Sequence, residues 1–401
     1  MTESPAEINE RLPKRVDSID IFRGLNVLLM IFVDNLGVVA GLPWWTNHMP
    51  RDVNGMTYVD MVFPAFLFLM GMSIPLSLDI RTARGQPDTK IWLHILARTA
   101  ALVALGLFVA NAPQVNAEHT GLSQTIWTTL GFLSIALAIS SYSRRASKKL
   151  SFTIRVVGLI LFVTLIALFR RATADNTIAW LDFSDWEILG LLGWAYLLCS
   201  TLYLLFRKKL VSLFVAFVAL VAINALSVTG RLFWMDYWPP IAKPFEAGLS
   251  SMTLGGVLVV LILVKDEFGT SFHRKTLLLL LSAGVAFVAG SLLRPLGISK
   301  IRDTPTWCLY CIAANILIVC LLYWVADKKG WSNWARFAKP VGANALLAYF
   351  LPYTAYLISF LWPLTAGDTA GWYGVFRAFL FTAGIWVVMI SLTRWGYRLR
   401  V

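Results

Sequence analysis

Apolar runs long enough to cross a bilayer recur along the whole of this chain, and little else fits between them. They fall near residues 20–40, 58–78, 91–111, 123–141, 154–169, 187–206, 210–228, 249–264, 276–293, 306–325, 341–361 and 374–394. By the criterion of roughly 20 apolar residues per crossing, that is about twelve runs. In lipid every backbone N–H and C=O must be satisfied inside the protein, which confines such a chain to helices packed side by side. A composition 58% hydrophobic and 14% charged, with a mean hydropathy of +0.69, points the same way. The expected fold is all-α, a polytopic membrane helical bundle of about twelve (ten to twelve) transmembrane helices. It forms one domain over residues 1–401, opened by a short cytoplasmic segment, 1–19.

The net charge of +13 would suggest nucleic acid in a soluble protein. Here the basic residues sit in short loops, and they alternate. One set of loops holds Arg81/Arg84/Lys90, Arg144/Arg145/Lys148/Lys149, Arg207/Lys208/Lys209, Lys265/Arg274/Lys275 and Lys328/Lys329/Arg336/Lys339. The intervening loops are poorer in Lys and Arg, and 112–122 and 362–373 have none. By the positive-inside rule the basic set is cytoplasmic, both termini lie inside, and no nucleic-acid partner is implied. The polar N-terminus lacks the features of a removable signal, so the first run is expected to stay. Cys199, Cys308, Cys311 and Cys320 all fall in apolar runs. The Cys308–Cys311 pair has no neighbouring histidine and no second pair, so these thiols read as small packing residues and no metal site is expected.

The stretch from Asp17 to Leu78 is different in kind. Two apolar runs bracket a compact polar loop, PWWTNHMP, that carries His48, one of four histidines. Asp34 lies late in the first run and Asp60 opens the second. Ionisable groups in lipid are costly and are placed for a purpose. Arg23, Asn26, Met30 and Asp34 follow at helical steps and form one stripe, with Arg23 and Asp34 roughly 16 Å apart. Gly37, Gly41 and Pro43 should end this helix early and leave Asp34 under the His48 loop. A carboxylate can orient a histidine ring and stabilise its cation, so His48 with Asp34 or Asp60 is a candidate base pair. Trp44 and Trp45 flank the loop, and Trp234, Tyr237 and Trp238 crowd another. Such residues commonly form the interfacial belt, and their faces also suit a sugar ring. Pro64 is expected to kink the second helix.

The residues Ser18-Ile-Asp20-x-Phe22-Arg23-Gly24, Asn54-Gly55-Met-Thr57 and Asp60-x-Val62-Phe63-Pro64-x-Phe66-x-Phe68 resemble the heparan-α-glucosaminide N-acetyltransferase family of transmembrane acyltransferases. Its bacterial members include predicted N-acetylglucosamine-operon transporters. Ile298-Ser-Lys300, Thr304-Pro305-x-Trp307 and Gly342-Ala-Asn344-Ala-Leu are weaker matches, and about 112–290 matches little. The resemblance implies transfer of an acetyl group from cytosolic acetyl-CoA to a glucosamine-type amine across a bacterial inner membrane. The family's essential histidine corresponds to His48. Asp34 stands where the family carries an asparagine, with Asn35 next door, and the loop is about two residues longer between His48 and Asn54. The family core has about ten helices.

On that reading His48 is the base and Asp34 or Asp60 its partner. Arg23, Asn26, Arg98 and Asn344 are candidates for holding acetyl-CoA. Asn35, Trp44, Trp45, Asn54, Lys300 and Arg302 are candidates for the acceptor. A histidine suits the removal of a proton from an attacking amine. Direct transfer is the expected route and an acetyl-histidine intermediate the rival. The expected partners are acetyl-CoA, an amino sugar and the bilayer, with a homodimer as the assembly to look for. The alternative function is a permease for N-acetylglucosamine or a related amino sugar, with the polar stripe as its path.

Overall fold

The computed structural model describes residues 16–141, 147–173, 175–207, 209–232, 247–264, 271–357 and 370–399. Each of the expected apolar runs contains a helix: α1 (Asp17–Leu36), α2 (Val62–Ala83), α3 (Asp88–Asn111), α4 (Gln124–Ile139), α5 (Lys148–Leu168), α6 (Glu187–Phe206), α7 (Leu210–Val228), α8 (Gly248–Val264), α9 (Phe272–Leu292), α10 (Pro305–Leu322), α11 (Ala345–Leu357) and α12 (Gly371–Arg394). Among the described residues, strand structure is limited to two-residue ladders, Ser140–Ser141 with Arg398–Leu399 and Arg171–Ala172 with Ile178–Ala179. The protein is an all-α, multi-pass membrane bundle.

Eight of these helices, among the described residues, are long and apolar enough to cross a membrane. The segments around α4, α8 and α11 are apolar but shorter. Helix α1 is of spanning length but carries Asp17, Asp20, Arg23 and Asp34, so its polar stripe sets it apart.

Helix α8 is apolar all round and nearly every residue in it is buried, which puts it at the centre of the bundle. It lies against α2 at backbone distance. A Cβ at Gly71 would come 1.8 Å from the Thr253 carbonyl oxygen, and one at Gly256 would come 2.0 Å from that of Phe68. Reciprocal glycines of this kind let two helices in lipid gain contact that side chains would prevent. Helix α5 is the opposite case. Gly158 and Leu165 are its buried residues, while Leu159, Ile160 and Val163 face outward, as lipid-exposed side chains do.

One end of α1 is fastened by Asp327, whose carboxylate accepts the Asp17 and Ser18 N–H groups at 2.9 and 3.1 Å. Those are orphan donors of the first helical turn. Lys339 adds an ion pair to Asp17 at 2.9 Å. The other end of α1 reaches the loop that carries His48. The expected kink at Pro64 is not where α2 is interrupted. Helix α2 begins at Val62, so Pro64 sits in the first turn, where a missing N–H costs nothing; Pro75 is the proline inside the helix.

Candidate functional site

Helix α1 stops at Leu36, and Gly41, at φ 73°, turns the chain back. Pro43 begins the turn into a short 3-10 helix, Trp44–Thr46, and its carbonyl accepts the Thr46 hydroxyl at 2.7 Å. The Thr57 hydroxyl donates to the Asn47 carbonyl at 2.8 Å and draws the two limbs of the loop together. A second 3-10 turn, Val59–Met61, then sets Asp60 at the head of α2.

His48 Nδ1 lies 2.7 Å from Asp60 Oδ1. The imidazole is half exposed, whereas the carboxylate is 1% exposed. Its other oxygen accepts the Thr57 N–H at 3.0 Å, the Met49 N–H at 3.3 Å and the Thr57 hydroxyl at 3.4 Å. The backbone carbonyl of Asp60 accepts Trp307 Nε1 at 3.2 Å. An ionised carboxylate only accepts, so the proton of this pair belongs on Nδ1 and leaves a lone pair on Nε2. A buried carboxylate held by so many donors fixes the ring as well as the tautomer.

Lys300 completes the group from far along the chain. Its Nζ lies 3.1 Å from His48 Nε2 and 3.3 Å from Nδ1. The segment carrying it is clamped by the Asn54–Gly55 pair: Asn54 Oδ1 accepts the Ile298 N–H at 2.6 Å, and the Gly55 N–H donates to the Ile298 carbonyl at 3.0 Å. Burial pushes the Lys300 ammonium below the usual lysine value, against the opposing pull of Asp60 and Asp34. Asp34 is exposed at the end of α1. There it interacts electrostatically with His48, Lys300 and Glu187.

The sequence left Asp34 and Asp60 equal as partners of His48. In the structure Asp60 makes the bond, and Asp34 acts on His48 electrostatically. Trp44 and Trp45 are exposed beside the loop, Trp45 within 6.2 Å of the Tyr58 ring, and Arg302 is exposed on the Lys300 segment. Trp234, Tyr237 and Trp238 lie outside the described residues. Other candidates are elsewhere. Asn26 is buried and donates to the Val62 carbonyl at 3.1 Å, tying α1 to α2. Asn35 back-bonds to Ile31 at 2.8 Å within its own helix. Asn344 is buried where the chain enters α11 and donates to Thr393 and the Tyr397 carbonyl. Arg23 pairs with Asp20 and donates to Ser73 at 2.7 Å. Arg98 lies over the Tyr196 ring at 4.8 Å, with its Nε buried and unpartnered.

Sequence reasoning passed over several contributors. Thr57 and Trp307 stood inside quoted motifs without a role. Glu187 heads α6 with a left-handed φ of 50° and accepts the Tyr349 hydroxyl at 2.6 Å, with Tyr353 3.3 Å beyond. A carboxylate opening an apolar run was the available signal for it. Four buried, free cysteines fit the packing role expected of them.

Residues 15–242 match a family described as a domain of unknown function, DUF5009. The chain is also similar to two curated proteins. It is 38% identical over 100 residues to the heparan-alpha-glucosaminide N-acetyltransferase of Homo sapiens, covering 25% of this chain and 14% of that protein. It is 38% identical over 97 residues to that of Mus musculus, covering 24% of this chain and 14% of the relative. The similarity therefore spans a small part of those relatives' length.

Proposed function

This chain belongs to the DUF5009 family, and from that premise we propose that it is a multi-pass membrane acyltransferase. It carries an acetyl group from acetyl-CoA to the amine of a glucosamine-type amino sugar on the far side of a bacterial inner membrane. The observation that carries the proposal is the 2.7 Å bond from His48 to a fully buried Asp60, which leaves the lone pair on Nε2 to act as the base. The partial similarity to N-acetyltransferases supplies the reaction class.

In this reading an acceptor amine approaches between Asp34 and His48. Nε2 takes the proton that the nitrogen sheds as it attacks the thioester carbonyl. Asp60 holds the imidazolium that forms. Lys300, whose ammonium meets the Nε2 lone pair at 3.1 Å in this structure, turns to the oxyanion at the carbonyl under attack as the amine takes its place. The new C–N bond displaces the C–S bond, and the proton on His48 passes to the departing sulfur. The transfer is direct, with both substrates bound together.

Acetyl-CoA enters as a substrate with several negative charges. At the other end of the bundle Arg81 lies 3.1 Å from His94, and Arg98 stands one helical turn further on with its unpartnered Nε. These groups fit phosphate oxygens, and an orphaned buried donor is what an absent acceptor leaves behind. Asn26 and Asn344 serve packing between helices, and the donor's contacts are assigned to the arginines.

The test is release of free thiol from acetyl-CoA by purified protein in detergent, with and without glucosamine. Release that depends on glucosamine and is absent in His48→Gln supports the proposal. Saturable binding of N-acetylglucosamine with no thiol release would favour a permease instead.

A further inference from the structure

A cavity of about 670 Å³ runs along the outside of the α9–α10 pair and ends at the loop that builds the site. Thr57 and Tyr58 line it from the loop, Gly284 and Phe287 from α9, and Ala314 and Leu317 from α10. Phe287 and Leu317 are more than half and half exposed, so the cavity opens toward lipid. Its lining is apolar apart from Thr57 and the hydroxyls of Tyr58 and Tyr310. The Thr57 N–H and hydroxyl donate to Asp60 Oδ2, the neighbour of the oxygen that meets His48 Nδ1. The segment joining α9 to α10 is bonded to the same loop through Asn54 and Gly55 and carries Arg294 and Arg302, both exposed. The carboxylate nearest to them in sequence, Asp303, is buried against Gly248 and Cys308.

An apolar trough facing lipid, two exposed arginines on the segment beside its loop end, and the His48–Asp60 pair joined to the trough through Thr57 make a graded surface. Its chemistry matches a molecule with a long hydrocarbon chain, a phosphate and a sugar, in that order. We propose that the acceptor is lipid-linked. Its chain lies in the α9–α10 trough, its phosphate meets Arg294 and Arg302, and its amino sugar reaches His48. This rests on the acyltransferase reading and names the substrate class of the same site. Binding energy from the remote chain then positions the reacting amine, as remote parts of substrates do.

The test compares two acceptors, free glucosamine and a synthetic isoprenyl-phosphate-linked glucosamine, in wild type and Gly284→Leu. Gly284 lines the trough and a Cβ there meets nothing within 4 Å, so a leucine side chain starts into open space. Wild type is expected to favour the lipid-linked acceptor in kcat/KM by about tenfold or more. Gly284→Leu should remove most of that preference and leave the free-glucosamine rate unchanged. Equal kcat/KM for the two acceptors, or a preference that survives Gly284→Leu, would overturn the proposal. A photoreactive form of the same lipid gives a readout independent of turnover. It should label α9 and α10 in wild type and resist competition by phosphatidylglycerol, whereas full competition would mean ordinary bilayer lipid and overturn the assignment. If neither sugar is acetylated while the selective labelling persists, the acyltransferase reading fails and the lipid site stands.

Discussion

Replacing Asp60 by Asn changes almost no volume and alters the chemistry at four donors at once. The carboxylate accepts from His48 Nδ1, the Met49 and Thr57 N–H groups and the Thr57 hydroxyl. An amide has one accepting end. If its oxygen stays with Met49 and Thr57, its NH₂ faces Nδ1 and forces the histidine proton onto Nε2, the atom required as base. If it turns the other way, two buried backbone donors face an NH₂, which costs about 1–3 kcal/mol of stability for each one left unpaired. The first arrangement keeps the fold and removes general-base catalysis, worth ~10²–10⁴-fold. That corresponds to about 3–5 kcal/mol in the barrier. The expected result for Asp60→Asn is a kcat lower by ~10²–10³-fold with KM for the acceptor little changed, since Asp60 is buried and touches no substrate. The assay is acetyl transfer under saturating acetyl-CoA, with circular dichroism to confirm the helical fold. Activity within about threefold of wild type would refute the role given to the pair, because no tautomer argument survives so small an effect.

Lys300→Met should lower kcat by about 10²-fold through loss of charge beside the reacting carbonyl, measured in the same assay. Burial lowers the Lys300 pKa below the ordinary 10.5, so the charged form is full below the shifted value and lost as pH rises through it. The wild-type rate should therefore fall on the alkaline side before pH 10.5, and Lys300→Arg should abolish that limb in a pH–rate profile. Asn54→Ala removes the clamp on Ile298 and should cost roughly tenfold in kcat through misplacement of Lys300, with an unchanged melting temperature. Gly71→Ala drives a Cβ to 1.8 Å from the Thr253 carbonyl and should destabilise the bundle by about 1–3 kcal/mol or more in thermal unfolding. Gly284→Ala, with open space at its Cβ, should gain up to about 1 kcal/mol in the same measurement.

The helices were legible because lipid enforces them: a long apolar run has no other way to satisfy its backbone. Helix α1 was legible as exceptional for the same reason, since Asp34 and Arg23 are too costly to face lipid. The local part of the site could be read as well. His48 and Asp60 are twelve residues apart on one loop, and the choice between Asp34 and Asp60 turned on the short turn at Val59–Met61, which carries no apolar period to read. The rest depends on packing between distant segments. Lys300 meets His48 across 252 residues, and Trp307 meets Asp60 across 247. Periodicity says which face of a helix is buried and is silent on which helix lies opposite. Asn26 and Asn344 show the converse. Each was a candidate for holding acetyl-CoA, and each spends its donors on a neighbouring helix. Pro64 looked like a kink because the run begins before the helix does.

The most direct test of the central claim is a sided one. Protein is reconstituted into sealed vesicles with radiolabelled acetyl-CoA on one side and glucosamine on the other, and wild type is compared with His48→Ala. The account predicts labelled N-acetylglucosamine in the acceptor compartment from wild type and none from His48→Ala. Label transferred equally by both proteins, or unmodified sugar carried across with no acetylated product, would contradict it.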